Sequence, residues 1–75
     1  ALAFHELEQL RADILSGGVA AVELAMARFP GADRQQLRQL VLQHQRETQR
    51  GQPLTASRKL FRYLRDLQDS GEPER

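Results

Sequence analysis

Three breaks divide this chain and constrain its fold more than anything else in it: Ser16-Gly17-Gly18, Pro30-Gly31 and Gly51-Gln52-Pro53. Glycine and proline at such points end helices and open turns. Between the breaks no stretch alternates with period two. Val19, Val22, Val41 and Ile14 are the only β-branched aliphatics, which is poor material for strands. Apolar residues recur instead every three or four positions, the period of a helix with one buried side. The pattern predicts an all-α fold: a small bundle of about four helices joined by short loops, with chain neighbours packed as antiparallel hairpins.

The first helix is expected over about residues 1–16, with Ala3, Leu7, Leu10 and Ile14 as its seam and Phe4 and Leu15 beside it. Ala1 already lies inside this pattern with no capping residue ahead of it, so the helix is expected to be truncated at its start. The second covers about 19–29. Val19, Val22, Met26 and Phe29 share a face while Leu24 points away, so a helix this apolar all round should sit centrally. The third covers about 33–50. Asp33 is its N-cap, with Gln36 placed for a capping box, and Leu37, Leu40, Val41 and His44 form its inner face. The fourth runs from about Thr55 or Ser57 to Ser70, with Ser57 read as a cap. One domain over 1–71 and a frayed polar tail at 72–75 complete the expectation.

At 75 residues the chain can hold one small domain. A chain of this size buries only about 60% of the surface it exposes when unfolded, so its core is thin. It has no cysteine to reinforce that core or to bind zinc. The most apolar run, GGVAAVELAMA, is too short to span a bilayer.

Charge is unevenly placed. Residues 1–30 balance to −2, residues 31–65 to +6 and residues 66–75 to −3, which the overall +1 conceals. The basic middle carries Arg34, Arg38, Arg46, Arg50, Arg58, Lys59, Arg62 and Arg65 against Asp33 and Glu47 alone. Turned as a helix, ASRKLFRYLRDL gathers Leu60, Leu64 and Leu67 on one side with Tyr63 beside them. Arg58, Lys59, Arg62 and Arg65 fall on the opposite arc, with Phe61 at the border. Arg34, Arg38, Arg46 and Arg50 occupy one four-residue row of the third helix, interrupted by Leu42 and padded with Gln35, Gln45 and Gln49. Arginine suits bidentate contact with phosphate, and several cations on a rigid face release several counterions from a nucleic acid. Basic amphipathic helices also serve as plain solvated surfaces, as membrane-surface helices and as docking helices for partners. The leucines of the fourth helix are needed by the bundle itself, which counts against a membrane.

No catalytic motif appears. His5-Glu6 does not continue into a zinc-binding H-E-x-x-H, and the glycine pair at 17–18 lacks the Lys-Ser/Thr of a phosphate loop. His44 lies on an apolar face and reads as a packed core histidine. Glu6 and Glu8 do not share a helix face. No enzyme, cofactor, metal or small-molecule substrate is expected.

The stretch PGADRQQLRQL at 30–40, the Arg- and Gln-rich helix after it, the G-x-P-x-x-x-S break at Gly51, Pro53 and Ser57, and then FRYLRDL together carry a resemblance. It extends back to about Phe4. The chain resembles the C-terminal half of the DarP (YjgA-type) family of dual-action ribosomal maturation proteins. That resemblance implies a bacterial, cytoplasmic, all-helical assembly factor that joins late precursors of the large ribosomal subunit and contacts ribosomal RNA. It implies the C-terminal domain of a longer protein. Arg34, Arg38, Arg58 and Arg65 fall in the matching wording and are the first candidates for RNA contact. Arg46, Arg50, Lys59 and Arg62 follow on charge geometry. The alternative is a protein-interaction module that docks a ribosomal protein or another partner through an apolar face, with Leu42 as an anchor.

Overall fold

A computed structural model describes residues 2–71, all helix and connecting turn. Helix α1 spans Phe4–Gly17, a 3-10 turn spans Gly18–Ala21, α2 spans Val22–Arg28, α3 spans Arg34–Arg50 and α4 spans Thr55–Gly71. The small all-α bundle is the fold class that the apolar spacing called for. Ala1 and the polar tail expected to fray at 72–75 lie outside the described residues.

Helix α1 starts at Phe4 rather than at Ala1. Ala3 is extended and has no side chain to accept from the first N–H groups of the helix; its own N–H donates to the Glu6 carboxylate at 2.9 Å. The extended arm is fastened to the far end of the bundle. The Leu2 N–H donates to the Gln68 side-chain oxygen at 2.6 Å, and the Gln68 amide donates back to the Leu2 carbonyl at 3.1 Å. Gly18 ends the helix with a φ of 70°, a value that excludes most side chains.

The second segment departs further from expectation. Its first turn is 3-10, which leaves α2 only seven residues long. Val22 and Ala25 are buried, but Leu24 is 65% exposed and Glu23 is exposed beside it. The segment is therefore one-sided rather than central. Alanine at 20, 21, 25 and 27 accounts for this, because its methyl groups make the segment look apolar all round while demanding little burial.

Helix α3 begins where Asp33 predicts. The Asp33 carboxylate accepts from the Gln35 and Gln36 N–H groups at 2.9 and 3.4 Å. Gln36 does not complete a capping box. The Asp33 N–H donates instead to the Tyr63 hydroxyl of α4 at 2.8 Å, which ties the start of α3 to the middle of α4. Gly51, at φ 66° and ψ 25°, closes α3 in the left-handed conformation.

The core is contiguous. Ile14, Val22, Leu37, Val41, Leu60 and Leu64 are almost wholly buried, with Leu7, Ala25, Ala32 and Leu40 around them. Each large member contributes about 1.5–3 kcal/mol by leaving water. Helices α3 and α4 form the most extensive pairing, and α1 lies against α4. The hairpin of α3 and α4 carries all eight candidate cations.

Candidate nucleic-acid interface

Glu47 fixes the hairpin. It is a charged residue only 6% exposed, inside the stretch that otherwise carries the positive charge. Its carboxylate accepts from the Thr55 hydroxyl at 2.6 Å, the Gln43 amide at 2.8 Å and the Ala56 N–H at 3.1 Å. The last bond places an anion on the free N–H groups that open α4, where the helix dipole favours one. A residue of α3 thus caps α4, and Ser57 falls inside the first turn instead of capping it. The Thr55 hydroxyl does most to lower the Glu47 pKa, from an ordinary 4.5 to about 2. The Ala56 N–H, the Gln43 amide and the nearby His44 add to this, while burial opposes it. One of the two acids of the basic region is thereby turned inward, and the other, Asp33, is spent on capping α3.

All eight predicted cations are exposed, but they do not share one face. A helix turns about 100° per residue, so each four-residue step drifts by about 40°, and the row from Arg34 to Arg50 swings through about 160°. Hydrogen bonds fix the two ends. Arg34 lies on the α2 side, where its guanidinium donates to the two Glu23 oxygens at 2.9 and 3.2 Å. That bond, followed by the carboxylate charge, pushes its pKa upward. Glu47 and Gln43 mark the α4 side. Arg38 is therefore turned toward α2, and Arg46 and Arg50 toward α4.

The arc on α4 divides in the same manner. Ala56 and Tyr63 point to α3, and Phe61 and Gln68 to α1. Lys59 leans toward α3, Arg62 stands between, and Arg58 and Arg65 lean toward α1. The cross-hairpin pairs Glu47 with Ala56 and Asp33 with Tyr63 set the levels along the axis. Arg50, Arg46, Lys59 and Arg62 then follow one another in that order along the outer side of the hairpin. Gln39 and Gln43 lie on the same side. Among the described residues none of these four cations makes an ion pair. Arg65 has Asp66 at 3.9 Å, a weak exposed contact.

The residues therefore form a line of four cations, a separate pair of Arg58 and Arg65 on the α1 side, and two displaced members, Arg34 and Arg38. Leu42 is 38% exposed within the α3 row. His44 is half-buried, with Nδ1 hydrogen-bonded to nothing among the described residues. The oxygens of its neighbour Glu47 are taken up by Thr55, Gln43 and Ala56. No group of three or more His, Cys, Asp or Glu able to hold a metal occurs among the described residues. No helix among them is long and apolar enough to cross a membrane.

A family model described as "Dual-action ribosomal maturation protein DarP" matches residues 1–65. The chain belongs to the DarP family. Proteins named dual-action ribosomal maturation protein DarP from Serratia proteamaculans, Citrobacter koseri and Proteus mirabilis are 45%, 42% and 42% identical to it over 69 residues. Those matches take in 92% of this chain but only 37–38% of the relatives, so it spans under two fifths of their length. No solved structure matches it. Membership in the DarP family agrees with the resemblance carried by residues 30–67 and extending back to about Phe4.

Proposed function

We propose that this domain is the RNA-binding part of a cytoplasmic, non-enzymatic ribosome assembly factor. It holds ribosomal RNA of the large-subunit precursor against the outer side of the α3–α4 hairpin and so promotes late maturation. The observation that carries this reading is the line of Arg50, Arg46, Lys59 and Arg62, exposed and without ion pairs among the described residues, on a hairpin whose one acid between Arg34 and Arg65, Glu47, is buried, while Asp66 and Asp69 are exposed farther along α4. Successive phosphates on one strand can meet successive cations along such a line, and each contact releases a counterion. Arg58 and Arg65 form a separate pair on the α1 side. Arg34 is the weakest candidate of the eight, because a bond to RNA must first break its fork to Glu23. Arg38 lies on the same flank.

The rival reading, a protein-docking module, has less support. Leu24, Leu42 and Leu54 are exposed on separate elements, and no apolar patch around Leu42 compares with the cationic line. Gradient sedimentation of the full-length protein with ribosomal precursors separates the two. Reversing Arg46 and Arg62 to Glu should release the protein from the precursors, while reversing Arg34 should change much less. Release by Leu42→Ala and not by the arginine reversals would favour protein docking.

A further inference from the structure

The α1 side of the bundle holds a cluster that the cationic line does not use. Phe4 is 65% exposed although it is an aromatic residue in a folded element. Its ring meets Phe61 edge to face, with centroids 5.2 Å apart and planes at 66°. Arg11 covers Phe61, its guanidinium carbon 5.3 Å from the ring centre. An edge-to-face contact fixes the orientation of Phe4 and leaves the rest of the ring open. Three- and four-residue spacing puts Arg58 and Arg65 on the Phe61 stripe of α4. Acids border the cluster: Glu8 is 4.0 Å from Arg11, Asp66 is 3.9 Å from Arg65, and the exposed Asp69 follows Arg65 by four residues on α4.

Resting on the RNA-binding reading above, we infer that Phe4 is a stacking platform for one unpaired nucleobase, whose flanking phosphates are held by Arg58 and Arg65. A flat apolar face bordered by cations fits a nucleotide: the base covers the ring and the guanidinium groups meet its backbone. A protein partner would cover Phe4 with apolar side chains, and the cations around the ring offer those nothing. Paired bases cannot present a face to the ring, so the site selects single-stranded RNA, a loop or a bulge. The cationic line on the other side of α4 makes no such distinction.

Binding of a twelve-residue oligoadenylate and of a twelve-pair RNA duplex should be compared for the wild type, Phe4→Leu, Phe4→Ala and Phe4→Trp. Phe4→Leu keeps an apolar contact with Phe61 but has no π-face, and thermal melting followed by circular dichroism checks that each variant is folded. Phe4→Leu and Phe4→Ala should lose about fivefold or more in affinity for the single strand and keep their affinity for the duplex. Phe4→Trp should bind the single strand at least as well as the wild type. Unchanged single-strand affinity in a folded Phe4→Leu variant would overturn the inference, as would equal losses on both RNAs. Release of full-length Phe4→Leu protein from ribosomal precursors in gradient sedimentation, with both RNA affinities intact, would also overturn it, in favour of a protein occupant. If the wild type bound neither RNA, the RNA-binding reading itself would fall.

Discussion

Replacing Glu47 with Gln should change how the fold depends on acid. The carboxylate is held to a pKa of about 2, chiefly by the Thr55 hydroxyl, against an ordinary value of 4.5. The folded value is the lower one, so the unfolded chain binds more protons through the window between them. The stabilisation from Glu47 is fully present above about pH 4.5 and is lost as pH falls toward 2. Midway through that window, unfolding should take up close to one proton per molecule on account of this residue alone. The Gln side chain keeps an oxygen for the Thr55 hydroxyl or the Ala56 N–H but has no charge to set on the opening of α4. Urea unfolding should be followed by circular dichroism at several pH values between 7 and 2, for the wild type and Glu47→Gln. The wild-type midpoint should fall across the window and the variant midpoint should fall less, with the two converging at the acid end. Parallel curves for the two proteins would refute the capping assignment, because Glu47 would then make the same interactions charged or neutral.

Other consequences follow from burial and backbone geometry. Leu60→Ala empties a fully buried position and should cost about 2–5 kcal/mol, read from urea midpoints; a cost below about 1 kcal/mol would mean that the core closes over the gap. Asp33→Ala removes the side-chain cap of α3 and should cost about 0.5–2 kcal/mol in the same assay. Gly51→Ala forces a side chain onto a φ of 66° and should destabilise by about 1 kcal/mol, although a Cβ there meets nothing within 4 Å.

The inner face of α3 was legible because Leu37, Leu40 and Val41 repeat at helical spacing and all three are buried. Asp33 and Gly51 were legible as stop signals because capping is local in the chain. Glu47 was not, because it acts across the hairpin on residues eight and nine positions later. The signal available was its isolation, a lone acid between Arg34 and Arg65. Tyr63 falls beside Leu60, Leu64 and Leu67 in the helical pattern, and its bond to Asp33 spans 30 residues, beyond any local pattern. The α3 cations look like one row on paper because four-residue spacing is close to, but not equal to, one helical turn. The accumulated drift carries Arg34 to Glu23 and Arg50 to the opposite flank. The pairing of Phe4 with Phe61 needs two helices far apart in sequence, so neither position suggested the other.

Salt dependence of RNA binding tests the cationic line most directly. Affinity of the full-length protein for a large-subunit ribosomal RNA fragment should be measured from 50 to 200 mM salt, with and without Ala at Arg46, Arg50, Lys59 and Arg62. Four lost phosphate contacts should flatten the logarithmic slope by about 2.8 for single-stranded contacts and about 3.6 for duplex contacts. An unchanged slope in a folded variant would contradict the placement of RNA on this side of the hairpin.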